Sequence, residues 1–165
     1  MIRNDFLQNH ALFGGLTEEE LTEIKKYLHE KNFKKGDIII VEGESGGQLY
    51  FITRGSVEIL KRVNQDEVGS QRPCDECIAT LKAGDAFGEM ELIDIQPRAA
   101  TVKALEDTTT LILSNMDLYK IQKWNLQTYT MIILNLAREI SRRLRKMDAL
   151  VASTLFSQHE NHQTR

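Results

Sequence analysis

The spacing of apolar positions changes twice along the chain, from helical to alternating and back to helical. Thr17, with Glu20 three residues on, has the pattern of a capping box and predicts a short amphipathic helix over about 17–29. Between Lys31 and Ser114, glycines separate short β-rich runs, which favours antiparallel strands in a sandwich or barrel. The runs are DIIIVEG, QLYFITRG, SVEILKRV, CIATLKAG, RAATVKALE and TTTLILS. The stretch Asn64–Glu76 is predicted to be a long hairpin loop.

Two helices are predicted after the last β-rich run, a short one over Asp117–Lys123 and a long one from Leu126 to about Leu155. The polar tail SQHENHQTR is expected to fray. Along the long helix, apolar residues recur at the spacing of a coiled-coil seam: Ile133, Ala137, Ile140, Leu144, Met147 and Val151. A second apolar set is expected to face the β-rich body: Ile132, Leu136 and Leu150. If the second set packs against the body, the seam has no partner within the domain, which favours a homodimer through the 126–155 helix. The alternative is that the helix is buried on both sides within one domain.

The composition is that of one soluble domain over residues 1–165. Hydrophobic residues make up 41% and charged residues 27%, and the net charge of −3 argues against a basic nucleic-acid-binding surface. The longest unbroken apolar runs are four residues, against the ~20 that a membrane span needs. The start lacks the apolar core of a secretory signal, so a cytoplasmic location is expected. The residues from Ala137 onward include six basic and three acidic side chains, so this part carries a net charge of +3. The first 136 residues therefore carry −6, and a basic helix follows an acidic body.

The segment from Ala86 to Thr101 concentrates the candidate chemistry. Its GEMELI stretch predicts a single helical turn opened by Gly88, whose exposed backbone N–H groups suit an anion. Arg98 follows Pro97 and can offer a planar guanidinium to two phosphate oxygens. Glu89 suits a sugar hydroxyl, so the two side chains together describe a nucleotide with a constrained phosphate. The alternative is an Arg98–Glu89 ion pair on a surface loop.

The stretch FGEMELIDIQPRAATV resembles the phosphate-binding cassette of cyclic nucleotide-binding domains, such as those of protein kinase A regulatory subunits and catabolite activator-like regulators. The resemblance runs from LFGGLTEEEL through FKKGDIIIVEGE and LYFITRGSVEI to the C-terminal helices. It implies an α+β fold: an antiparallel β-roll (a jelly-roll-like double-stranded β-helix) of about eight short strands, with an N-terminal helix and two C-terminal helices. Residues 116–155 then form the hinge and the dimerisation helix.

The resemblance also implies roles for single residues. Glu89 matches the glutamate that accepts the ribose 2′-hydroxyl, and Arg98 matches the arginine that pairs with the cyclic phosphate. Ala99 supplies a backbone donor and stands where cGMP-selective members often carry Thr or Ser, so cAMP is favoured and cGMP is possible. Asp148 follows Arg-Arg-Leu on the long helix, where related regulators cap the base; the alternative is a solvated acid. The candidate ligand-binding residues are Phe87, Gly88, Glu89, Met90, Glu91, Arg98, Ala99, Ala100 and Asp148.

One position departs from the family pattern. Glu91 stands where the family usually has Ala, Gly or Ser, and an inward carboxylate there would repel the ligand and compete for Arg98. Retained ligand binding therefore requires that the Glu91 side chain turn to solvent. The alternative function is a scaffold or dimerisation protein of the same fold with an unliganded pocket.

Other chemistry is not expected. Cys74 and Cys77 form a CxxC in the predicted loop, and only His159 and His162 in the tail could complete a zinc site with them, so no metal is expected. All four histidines lie outside the β-rich region, which argues against a cupin-type metalloenzyme and against a histidine-based catalytic site. We expect no catalysis and no catalytic cofactor. Because only about ten residues follow the long helix, no DNA-binding domain is expected. The downstream protein partner is not identified by any motif.

Overall fold

In the part of the chain that the structure describes, eight antiparallel strands form two four-stranded sheets, with helices before and after them. The computed structural model describes residues 4–63, 74–94 and 96–163. The strands are β1 (His29–Phe33), β2 (Ile38–Ile40), β3 (Gln48–Arg54), β4 (Ser56–Val63), β5 (Cys74–Lys82), β6 (Ala86–Phe87), β7 (Thr101–Ala104) and β8 (Thr108–Ser114). The helices are α1 (Asn4–Asn9), α2 (Glu18–Ile24), α3 (Met90–Ile93), α4 (Asn115–Trp124) and α5 (Leu126–Gln163), with 3-10 turns at Ala11–Phe13 and Lys25–Tyr27.

The two sheets have the strand orders β1-β8-β3-β6 and β2-β7-β4-β5, and every pairing is antiparallel. Strands that are neighbours in a sheet are mostly far apart in sequence, as in a roll that winds back on itself. The predicted fold class, an antiparallel β-roll with an N-terminal helix and two C-terminal helices, is confirmed.

The apolar run of β3 is explained by burial on both faces of its sheet. Leu49 and Phe51 belong to the core between the first sheet and the helices, whereas Tyr50 and Ile52 belong to the core between the two sheets. Because successive side chains of a strand point to opposite faces, one continuous apolar run serves both cores. This strand therefore links the helical layer to the interior of the roll.

The N-terminal helices differ in part from the prediction. The capping box of α2 is confirmed, since the Thr17 N–H donates to Glu20 Oε2 at 2.8 Å and the Glu20 N–H donates to Thr17 Oγ1 at 3.3 Å. The predicted end at residue 29 is wrong, because His29 already pairs with β8. The sequence analysis did not predict α1, which is only six residues long and is held by tertiary burial of Leu7.

The predicted loop Asn64–Glu76 is wrong at its end. Cys74 to Glu76 are strand residues, because β5 pairs with β4 in a register that sets Cys74 opposite Val63. The CxxC therefore begins a strand instead of lying in a loop, and the Cys77 side chain is exposed. The rest of the predicted loop, with Gly69 and Pro73, lies outside the described residues.

The long helix α5 is longer than predicted and only its first part is covered by the body. It runs to Gln163, so the predicted end near Leu155 is wrong; residues 126–163 contain no Gly or Pro to end a helix. The last two residues of the tail that was expected to fray lie outside the described residues. Ile132 and Leu136 are buried as expected, but Leu150 is 59% exposed, which corrects its predicted contact with the body. No helix within the described ranges combines the length and the apolar character that crossing a bilayer demands.

Candidate functional site

The candidate site begins where β6 leaves its sheet. Phe87 pairs with Tyr50 of β3, and the two rings stack at 4.9 Å between centroids, so this end of the segment is anchored in the interior of the roll. Gly88 follows with a φ of +83°, a left-handed conformation that costs an L-residue strain. The chain then turns into α3, which is the predicted single helical turn.

Arg98 is buried and held in place by backbone carbonyls. Its side chain is 6% exposed, Nη1 donates to Gly88 O at 3.2 Å, and Nη2 donates to Gln48 O at 3.1 Å. Gly46 also packs against it, since a Cβ at that position would lie 2.5 Å from Nη2. The guanidinium is therefore oriented by two segments, residues 46–48 and Gly88, that meet only in the folded chain.

The ion pair of Arg98 is with Glu91 and not with Glu89, so the alternative of a surface Arg98–Glu89 pair is wrong. Glu91 Oε2 lies 2.7 Å from Arg98 Nε, and its Oε1 accepts a hydrogen bond from the Gly46 N–H. The Glu91 side chain is only 11% exposed, so it does not turn to solvent. Glu91 Oε2 has no aligned hydrogen bond among the described residues, so the contact with Arg98 is a close ion pair.

The surroundings of Glu91 hold its pKa below the ordinary value of 4.5. Burial is the largest influence and raises the pKa, but the N–H groups of Gly46 and Gly47 and the charge of Arg98 together outweigh it. Glu91 is therefore the ionised partner in this pair at neutral pH.

We expect Glu91→Gln to flatten the acid side of the stability profile. Because the folded-state pKa is depressed, the contribution of Glu91 is fully present above the unfolded pKa and is lost as the pH falls through the folded pKa. The free energy of unfolding, measured by denaturant titration between about pH 3 and pH 6, should change less with pH in the variant. An unchanged slope would show that Glu91 binds protons alike in the folded and unfolded chain.

Glu89 contacts the long C-terminal helix. Its Oε1 accepts a hydrogen bond from Arg143 Nη1 at 2.9 Å, and Arg143 Nη2 donates to Ala86 O. The Glu89 side chain is 13% exposed, so this is a largely buried ion pair. A cavity of about 50 Å³ borders the contact, far below the ~300 Å³ of a small-molecule site, so a nucleotide does not fit that cavity in this conformation.

The remaining predicted site residues are more exposed. Met90 is 59% exposed, the Ala99 carbonyl accepts from Lys61 Nζ at 2.7 Å, and Ala100 is half-buried. Asp148 is exposed on α5 and makes none of the hydrogen bonds described for the site.

Sequence reasoning missed three contributors to the site. Arg143 stood out only within an Arg-Arg-Leu stretch, and Gly46 was only one of the glycines that separate the β-rich runs. Gln48 carried no signal at all, because it acts through its backbone carbonyl. The adjacent glycines at 46 and 47 were the one local hint of a close backbone approach.

The chain belongs to the cyclic nucleotide-binding domain family, whose model matches residues 30–123. It is 29% identical over 155 residues to the cyclic AMP receptor protein of Thermus thermophilus. The alignment covers 94% of this chain and 67% of that protein. Cyclic nucleotide-dependent protein kinase chains also match, and of these the chain spans only 14% to 21%. The chain therefore matches only a small part of the length of these kinase relatives.

Solved structures agree with the fold. A cyclic nucleotide-binding domain from Methylobacillus flagellatus superposes with a TM-score of 0.74 at 25% identity, covering 86% of this chain and 76% of that one. A variant of the regulatory subunit of a cAMP-independent protein kinase A from Trypanosoma brucei, bound to cAMP, has a TM-score of 0.67 at 26% identity. That comparison covers 82% of this chain and 44% of the trypanosome chain.

Proposed function

We propose that this chain is a non-enzymatic sensor domain that binds a cyclic nucleotide, cAMP in preference to cGMP, and transmits binding to α5. The observation that carries the proposal is the hydrogen bond between Glu89 and Arg143, which joins the candidate ribose acceptor directly to the long helix. The family membership and the buried Arg98 support the ligand class. The Ala99 side chain, which has no hydroxyl to meet a guanine amino group, favours cAMP.

The proposed ligand would use groups that retain hydrogen-bonding capacity. A guanidinium has five N–H donors, and Arg98 directs two of them to carbonyls and one towards Glu91. Glu89 engages Arg143 through one oxygen, and a carboxylate has about four acceptor positions, so it can also accept a ribose hydroxyl. Backbone around Gly88, Ala99 and Ala100 would complete the phosphate contacts, with Asp148 as the proposed contact to the base.

The proposed coupling follows from the shared carboxylate. A ribose hydroxyl that donates to Glu89 would share the carboxylate with Arg143 and draw on its negative charge, which weakens the hydrogen bond that holds α5. A ligand shifts such an equilibrium only if it binds the two positions of the helix unequally. The Glu89 carboxylate, as the acceptor common to the ribose and Arg143, is the proposed source of that inequality.

Thermal unfolding with cAMP, with cGMP and without ligand tests the proposed function. A ligand held at 100 times its Kd adds about 2.7 kcal/mol, or roughly 5–10 °C in Tm at this chain length. We expect the increase with cAMP to exceed that with cGMP and to disappear in Arg98→Ala, which lacks the phosphate partner. No shift with either nucleotide at millimolar concentration would contradict the proposal.

The exposed part of α5 supports a homodimer. Leu144, Met147 and Val151 are 61%, 51% and 54% exposed at seam spacing, beyond the region that the body covers. We expect a dimer in sedimentation experiments and its loss in Leu144→Glu. Leu134→Glu is the matched control, because Leu134 is a 47% exposed leucine on the same helix but off the seam. Equal behaviour of the two variants would argue against the seam.

A scaffold with an unliganded pocket is the second candidate, and the buried Glu91–Arg98 pair favours it. The trypanosome relative described as cAMP-independent offers a parallel. Its variant bound to cAMP replaces a glutamate by alanine and introduces arginine and alanine at the spacing that separates Glu91 from Arg98 and Ala99. This chain already has the arginine and the alanine but keeps the glutamate.

A further inference from the structure

The surroundings of Arg98 already contain an anion, and it comes from the chain itself. The Glu91 carboxylate lies against the guanidinium at 2.7 Å and accepts the Gly46 N–H. A guanidinium combined with backbone N–H groups is also what a phosphate requires, because both anions accept charge-assisted hydrogen bonds. Glu91 therefore engages the kind of groups that a bound phosphate would need.

We propose that the Glu91 carboxylate is an internal anion that occupies the phosphate subsite in the ligand-free protein, so that a cyclic nucleotide binds only by displacing it. This inference rests on the proposed function, because it places the phosphate of the ligand at Arg98. Glu91 is then the residue that sets affinity for anionic ligands.

Charge and burial explain why the two anions exclude each other. Glu91 and Arg98 have side chains that are 11% and 6% exposed, so a phosphate entering beside Glu91 would meet a negative charge with little water to screen it. Arg98 carries a single positive charge, which one anion already neutralises. The depressed pKa of Glu91 keeps that carboxylate ionised at neutral pH, so protonation does not relieve the repulsion.

The position of Glu91 also connects the subsite to two backbone segments. Glu91 lies in the first turn of α3, and Gly46 lies between β2 and β3, so the carboxylate ties α3 to that segment. Glycine at 46 lets the guanidinium lie close, because a Cβ there would stand 2.5 Å from Arg98 Nη2 and would displace it. Displacing Glu91 therefore releases α3 from the segment that contains Gly46.

Calorimetric titration of the full chain with cAMP tests the inference. We expect Glu91→Gln, which keeps the shape of the side chain and removes its charge, to bind cAMP at least tenfold more tightly than wild type. Glu44→Gln is the matched control: it removes one negative charge from an exposed side chain of the same segment and should stay within about twofold of wild type. Combining Glu91→Gln with Arg98→Ala should abolish the gain. Glu91→Ala serves as a second variant if Glu91→Gln does not fold.

The outcomes separate this inference from the proposed function. Wild type that binds cAMP as tightly as Glu91→Gln would overturn the inference and leave the proposed function intact. Absence of binding in both would overturn both. Binding by Glu91→Gln alone would support Glu91 as the internal anion, but it would overturn the proposed sensor function of the wild-type chain and favour the scaffold.

An amide resonance reports the displacement directly. In ligand-free wild type, the Gly46 amide proton should resonate downfield, because it donates to a carboxylate, and should move upfield in Glu91→Ala. Saturating cAMP should shift this resonance in wild type, because the acceptor of the Gly46 N–H changes from the Glu91 carboxylate to the phosphate. A Gly46 resonance that stays in place while cAMP is bound would show that ligand and Glu91 coexist, which overturns the inference.

Discussion

Gly88→Ala is expected to lower the free energy of unfolding by about 2–5 kcal/mol and to weaken the candidate site at the same time. The left-handed conformation at a φ of +83° accounts for about 1–2 kcal/mol. Overpacking adds about 1–3 kcal/mol, because the new Cβ would lie 2.6 Å from Gln48 O and 2.8 Å from Arg98 Nη1. One of these atoms belongs to the Arg98 guanidinium, and the other is a carbonyl oxygen that accepts a hydrogen bond from it. Relief of the clash must therefore move the guanidinium or this carbonyl. Urea denaturation measures the change.

Gly84→Ala separates the two causes. Gly84 has a similar φ of +95°, but a Cβ there meets nothing within 4 Å, so only the backbone strain of about 1–2 kcal/mol applies. The difference between the losses of unfolding free energy in the two variants measures the steric contribution at Gly88. If Gly84→Ala and Gly88→Ala lose the same stability, the close packing of Gly88 on Arg98 is not a constraint.

Arg143→Met is expected to cost about 1–3 kcal/mol of stability and to disconnect α5 from ligand binding. Removing Arg143 leaves the largely buried Glu89 carboxylate without its partner, and the cost stays below the ~3–5 kcal/mol of a fully buried pair because Arg143 is 29% exposed. Trp124, the single tryptophan, lies at the end of α4 immediately before α5 and reports on this junction. We expect cAMP to change Trp124 fluorescence in wild type and to change it much less in Arg143→Met.

Arg142→Met is the matched control for this helix position. Arg142 is 50% exposed and pairs with Glu139 of the same helix at 2.8 Å, an exposed contact worth less than about 1 kcal/mol. The Arg142→Met variant should keep the stability of wild type and its change of Trp124 fluorescence with cAMP. A response that survives in Arg143→Met would mean that the hydrogen bond to Glu89 does not carry the coupling.

Local patterns were sufficient for most of the secondary structure. The capping box at Thr17, the single turn after Gly88 and the β-rich runs each depend on neighbouring residues, and the structure confirms them. β1 was missed because its sequence, HEKNF, is polar and mostly exposed, so no alternation marks it. It is a strand because β8 offers it an edge to pair with.

The sequence by itself determined the short strands, the helices, and a family resemblance that implies the β-roll and marks Glu89 and Arg98 as candidate ligand groups, because turn chemistry, periodicity and motif spacing are local properties. The tertiary structure alone decided which charges meet. Glu91 reaches Gly46 across 45 positions, and Arg143 reaches Glu89 across 54. Nothing local directs a carboxylate inward or selects one arginine of an adjacent pair; burial of the roll and the packing of Ile132 and Leu136 against it place α5, and with it Arg143, over Glu89.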